Sequence, residues 1–239
     1  MLKAVSALAL GALLVSCAAS QPRTPRQMID RALAASPGNA SPGKVVAAEL
    51  AFARLAREKG QWTAFRTFAA DDAVMFVPEP VNAREWLARQ KDPAESVRWQ
   101  PHQVWMSCDG SLAVSKGAWQ RPDGSFGYFT TVWERQQDGE YKWVMDQGDV
   151  LAEPLAEPDV VESETASCTP EQPGPDIRLS PVAPDNTRMI GGRSQDGSLE
   201  WSVAYSPGTH RRHMLVTLVR EGKRWGVFMQ TVYPAAGGQ

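Results

Sequence analysis

Between Val97 and Val150 apolar and polar residues alternate with a period of two, and the pairs Asp109-Gly110, Asp123-Gly124 and Asp138-Gly139 punctuate the run. Asp-Gly between stretches rich in β-branched and aromatic residues marks a tight hairpin turn, because glycine takes up positive φ without a steric penalty. The spacing predicts an antiparallel meander with strands at Val97–Cys108, Leu112–Arg121, Phe126–Gln136 and Tyr141–Val150. Such strands are longer than the usual five or six residues, and long strands curve. A curved sheet wrapped around helices has one concave face, the kind of surface on which small-molecule sites form.

The segment upstream supplies helices. From Lys44 to Lys59 the residues Val45, Val46, Ala48, Leu50, Phe52, Leu55 and Ala56 recur at helical spacing, and Gly60 stops the run. A second helix, Trp62–Ala69, sets Trp62, Phe65 and Phe68 on one face. Asp71-Asp72 separates it from a short strand, Ala73–Val77, closed by Pro78 and Pro80. Asn82 is a suitable cap for a third helix, Ala83–Gln90, which Asp92-Pro93 ends. Downstream, residues 151–187 form a Pro- and Glu-rich connection. The β pattern then returns at Leu199–Tyr205, His213–Arg220 and Trp225–Val232, with turns at Asp196-Gly197 and Glu221-Gly222. Three strands are too few to stand alone, so this extension, 188–235, is expected to pack on the preceding domain or to extend its sheet.

The order helix, helix, short strand, helix and four long antiparallel strands over Val45 to Val150 resembles the nuclear transport factor 2-like superfamily, which includes ketosteroid isomerase, scytalone dehydratase and polyketide cyclases. The strings Phe68-Ala69-Ala70-Asp71-Asp72-Ala73-Val74 and Val132-Trp133-Glu134-Arg135, followed by Asp138-Gly139 and Trp143-Val144, carry the likeness. It is similar in particular to the small exported or stand-alone bacterial branch. The resemblance covers a little under half of the chain and implies an α+β class: a cone-shaped curved antiparallel sheet packed on three helices, here with a small C-terminal antiparallel β extension. It also implies cofactor-free chemistry where there is chemistry, and a homodimer through the exposed sheet face unless the extra strands cover that face. Its strings report packing and turns rather than a reaction.

Candidate site residues follow from what a cone requires. A general acid or base needs burial in apolar surroundings to bring its pKa toward neutrality. Asp146, amid Trp143, Val144 and Met145, is the foremost candidate; Asp146-Gln147-Gly148-Asp149 reads equally as a strand end whose carboxylates accept backbone hydrogen bonds. His102 follows Pro101 on a strand face shared with Val104 and Met106, as a second base or a structural histidine. Tyr128 and Thr130 offer hydroxyls, and Trp105, Trp119 and Trp133 either line a cavity for a flat hydrophobic ligand or fill it. There is no Gly-x-Ser-x-Gly, no phosphate-cradling loop and no paired metal ligands; His210 and His213 sit beside Arg211 and Arg212, which disfavour another cation. No metal and no cofactor are expected.

The N-terminus gives an address. Lys3 precedes an apolar run from Ala4 to Val15 that ends Leu14-Val15-Ser16-Cys17, too short to span a bilayer. It resembles a bacterial lipoprotein signal, with residues 1–16 removed and Cys17 acylated; Cys17-Ala18-Ala19 also offers the small residues that a general signal peptidase accepts. Each buried CH2 of an acyl chain contributes about 0.8 kcal/mol, so several chains hold a protein on a membrane. The resemblance to bacterial lipoproteins implies the outer membrane, at its periplasmic face, because Ala18 rather than Asp follows the cysteine. Residues 17–43 read as a Pro-, Ser- and Gly-rich tether with a short helix near Arg26–Ala35. With 239 residues, 43% hydrophobic, and a formal charge of −2, the chain can bury a core and lacks the basic excess that nucleic acid demands. Setting Cys17 aside leaves Cys108 and Cys168 as an even pair in an exported protein, hence a disulfide. The chain is thus expected to be an envelope lipoprotein whose cone, residues 44–150, binds a small hydrophobic ligand or a protein partner without catalysis. The alternative is a cofactor-free lyase or isomerase with Asp146 or His102 as base.

Overall fold

The computed structural model describes residues 40–169, 171 and 186–232. The lipidation site Cys17, the tether up to residue 39 and part of the connection lie outside the described residues. Two helices open the fold: α1, Pro42–Lys59, and α2, Gln61–Phe68, hinged at Gly60 with φ 111°. A Cβ at Gly60 would fall 2.3 Å from the Asp92 side chain, so both conformation and space require glycine there. Strands β1, Ala69–Phe76, and β2, Pro80–Asn82, form a short hairpin before α3, Ala83–Leu87. Asn82 caps α3 as expected, its side chain accepting from the Glu85 amide at 3.0 Å. The helix is three residues shorter than its apolar pattern predicts, since the expected end was Gln90.

The meander follows as β3, Arg98–Met106; β4, Leu112–Gln120; β5, Phe126–Arg135; and β6, Tyr141–Val150. Each strand lies within a residue or two of its expected bounds. β7, Glu162–Thr165, adds a parallel edge strand inside the connection that sequence marked as irregular. The resulting seven-stranded sheet runs β2-β1-β6-β5-β4-β3-β7, and β1 joins β6 in parallel. The helices fill its concave side: Val45, Phe52, Ala56 and Ala64 pack against Val104, Met106, Trp133 and Trp143. This is the α+β cone the sequence predicts.

The C-terminal extension is a second, four-stranded antiparallel sheet in the order β11-β10-β9-β8. Its strands are β8, Arg188–Arg193; β9, Leu199–Ser206; β10, Arg211–Arg220; and β11, Lys223–Val232. It packs face to face on the convex side of the cone. Leu199, Trp201, Val203, Met214, Val216 and Leu218 form one core with Trp105, Val114, Val132 and Met145. The Cys108–Cys168 disulfide forms across a separation of 60 residues, and Ser167 N donates to the Val219 carbonyl, so the connection is pinned to both sheets.

The two sheets also meet through matched turns. Ser107-Cys108-Asp109-Gly110-Ser111-Leu112 links β3 to β4, and Ser194-Gln195-Asp196-Gly197-Ser198-Leu199 links β8 to β9. Asp109 N donates to Asp196 Oδ2 and Asp196 N to Asp109 Oδ2, both at 3.0 Å. Cys108 N reaches Ser198 Oγ at 2.9 Å and Gln195 N reaches Ser111 Oγ at 3.0 Å. Every contact has its reciprocal, the mark of a two-fold relation.

Candidate functional site

The cone is open at the end where β3 and β5 begin and β4 and β6 finish. A cavity of about 330 Å3 lies there, walled by rings of Phe52, Trp62, Phe65, Trp99, Trp119 and Phe129. The opposite end is filled: Trp133 and Trp143 are completely buried against Phe65 and Phe68. The tryptophans therefore divide between lining and filling, the two roles that sequence left open.

A bulge positions Asp146. Trp133 pairs with Trp143 but Val132 pairs with Met145, so Val144 is the extra residue in β6. Strict alternation would set Asp146 on the face opposite Trp143; the inserted residue turns both toward the cone. Asp146 lines the cavity, and Thr131 Oγ1 on the neighbouring strand donates to its Oδ2 at 2.7 Å. That is its only hydrogen bond among the described residues, to a side chain rather than to the backbone. Burial pushes the carboxyl up to about 7, opposed by the Thr131 bond, reinforced by nearby Glu49 and opposed again by Arg212.

Glu49 is the group that sequence reasoning missed. It lies on the buried stripe of α1 with Val45, Phe52, Ala53 and Ala56, fully enclosed. Its Oε1 accepts from Ser115 Oγ at 2.5 Å and Trp133 Nε1 at 3.1 Å, and its Oε2 from Trp99 Nε1 at 3.2 Å. Burial pushes its carboxyl up to about 7 against those donors. The usable signal was its i+4 position after Val45 on an otherwise apolar face.

Of the remaining candidates, Trp119 alone lines the cavity. His102 is the extra residue of a bulge in β3, absent from the cavity lining, with Glu157 and Lys116 as its charged neighbours. Desolvation, partly offset by Glu157, lowers its pKa. Trp105 stacks on Phe228 at 5.4 Å between the sheets. Tyr128 and Thr130 are buried on the same convex face as Val132, away from Phe129 and Thr131; Arg212 lies near the Tyr128 hydroxyl, and the Thr130 hydroxyl has no hydrogen-bond partner among the described residues. Trp119 is at the cavity, its Nε1 bonded to the Tyr128 carbonyl at 2.8 Å and its ring under Arg121 at 4.6 Å. Among the described residues no cluster of His, Cys, Asp and Glu could hold a metal.

No protein-family model matches the sequence, and no curated protein matches it. Solved structures do resemble it. One is a ketosteroid-isomerase-like protein from Parabacteroides distasonis, 16% identical over 43% of this chain and 85% of that one, with a TM-score of 0.36. Another is a nuclear transport factor 2-like protein of unknown function from Shewanella baltica, 10% identical over 47% and 98% of the two chains, TM-score 0.35. A third, from Burkholderia xenovorans and also of unknown function, is 17% identical over 49% and 89%, TM-score 0.32.

Proposed function

We propose that this chain is a cell-envelope lipoprotein, anchored through Cys17 at the periplasmic face of the outer membrane, whose cone binds a small, flat hydrophobic ligand. The open aromatic cavity of about 330 Å3 carries the binding reading, because small-molecule sites are concave and mostly apolar with a few polar groups, as here with Asp146 and Thr131. The Leu14-Val15-Ser16-Cys17 string and the Cys108–Cys168 bridge support an exported, lipidated protein. A second reading is favoured by one observation, a carboxyl in the cavity pushed up to about 7. Such a group both accepts and releases a proton near neutral pH, so Asp146 would serve as the general base of a cofactor-free lyase or isomerase.

Both halves are open to test. Cys17→Ala should move the protein from the membrane fraction to the soluble periplasm; retention on the membrane would overturn the anchor. For the cavity, quenching of tryptophan fluorescence reports occupancy, since Trp62, Trp99 and Trp119 line it. In the binding reading Asp146→Asn keeps the affinity for an uncharged apolar ligand within a few fold. In the catalytic reading the same change lowers turnover of a substrate found by screening by about 10²-fold or more.

A further inference from the structure

Asp146 lines the cavity, and Thr131 Oγ1 is its one hydrogen-bond donor among the described residues. Its surroundings are aromatic, and an ionised carboxylate in such a setting is costly unless a counter-charge or donors meet it. Among the described residues no cation is bonded to Asp146. Arg212 approaches from β10, bonded to Gln147 Oε1 at 2.7 Å and the Gly148 carbonyl at 2.8 Å, with Asp149 Oδ2 3.5 Å away. Arg121 is exposed at the mouth, lying over the Trp119 ring. Further negative charge comes from Glu49 on α1, behind Asp146, and from Asp149 on β6, which also lines the cavity.

These charges discriminate between ligands. An anion would meet Asp146, Asp149 and the field of Glu49, with Arg121 at the mouth as the single cation in the lining. A neutral apolar molecule would exclude water from Asp146 and leave it unpaired. A cation would supply what the site lacks, and aromatic walls favour one further through their ring faces. Resting on the binding reading above, we infer that the ligand class of this cone is an organic amine: a flat apolar body whose ammonium group pairs with Asp146, its rings among Trp99, Trp119 and Phe129.

The test compares three probes of one shape, 2-naphthylmethylamine, 2-naphthylmethanol and 2-naphthoate, by calorimetry and tryptophan fluorescence on the oxidised chain. At about pH 8, where Asp146 is ionised and the amine still charged, the amine should bind about tenfold or more tighter than the alcohol, the weight of one charge-assisted hydrogen bond. The advantage should disappear at about pH 5, where Asp146 is protonated, because its carboxyl titrates near 7. Asp146→Asn should abolish the advantage, with the alcohol binding at least as tightly as to the parent, whereas Glu49→Gln should keep the preference for the amine. Equal binding of amine and alcohol, tighter binding of the naphthoate, or an amine advantage that survives Asp146→Asn overturns the inference while the apolar cavity stands. Failure of all three to bind at millimolar concentration sinks the cavity reading itself. The pH contrast in the unmodified chain decides the matter even if a variant fails to fold.

Discussion

Glu49 is fully buried, and among the described residues three neutral donors and no cation meet its carboxyl. Its pKa rises from an ordinary 4.5 to about 7, chiefly through burial. Between those values the folded chain keeps a proton that the unfolded chain gives up, so stability falls as pH rises through that window and is fully retained below it. Asp146, raised from 3.8 to about 7, acts in the same direction. Glu49→Gln should therefore flatten the curve. The amide must turn its NH2 toward one of the three donors, which lowers the melting temperature near pH 5, but it carries no charge to bury near pH 8, where the deficit should shrink or reverse. Melting curves of both proteins across that range check this, and parallel curves would refute the role of Glu49. At this scale Asp146 stood out in the sequence as an acid directly after Trp143, Val144 and Met145. Glu49 did not, because the stripe on α1 was read through Leu50, which is 53% exposed.

The strands of the cone depend on where side chains are left out. Trp119 lies flat over β5 and β6 because Gly127 and Gly148 face it. A Cβ at Gly127 would come 2.3 Å from the Trp119 ring and 2.0 Å from the Asp149 carbonyl oxygen. Gly127→Ala should destabilise the fold by about 1–3 kcal/mol, the usual range for overpacking a fitted site, and tilt the indole into the cavity. Denaturant titration reads the first effect and weakened binding of an apolar probe the second; a variant as stable as the parent would show that the sheet opens there freely. Element positions were readable where Asp-Gly turns bounded alternating runs, as in β3 to β6 and β9. The rest lacked a pattern: β7, Glu162–Thr165, is polar, β2 is three residues with Pro80 at its start, and β8 has Gly191-Gly192 inside it. The bulges at His102 and Val144 were invisible for the same reason, since alternation assumes the regularity that these residues break.

At the scale of the whole molecule, sheet β8–β11 repeats the meander it covers. The strings from Ser107 and from Ser194 match, and both sheets shift register at corresponding points, after Val132 on β5 and after Val216 on β10. The second copy has no helices of its own among the described residues and gives the first its missing partner, burying Trp105, Val114, Val132 and Met145. The extra strands thus cover the convex face of the cone. Closing the loop between Cys108 and Cys168 contributes about 4 kcal/mol in the chain-entropy model, and it strengthens this docking by tying the connection to the reciprocal turns. Removing residues 186–239 should then uncover an apolar sheet far larger than a soluble monomer tolerates. The shortened chain is expected to dimerise through that face or to aggregate, with the intact protein running as a monomer, as read by size-exclusion chromatography with light scattering. If the shortened chain were instead a monomer with an unchanged melting temperature, the inter-sheet core would contribute nothing to the cone, and the second sheet would be an appendage rather than a built-in partner.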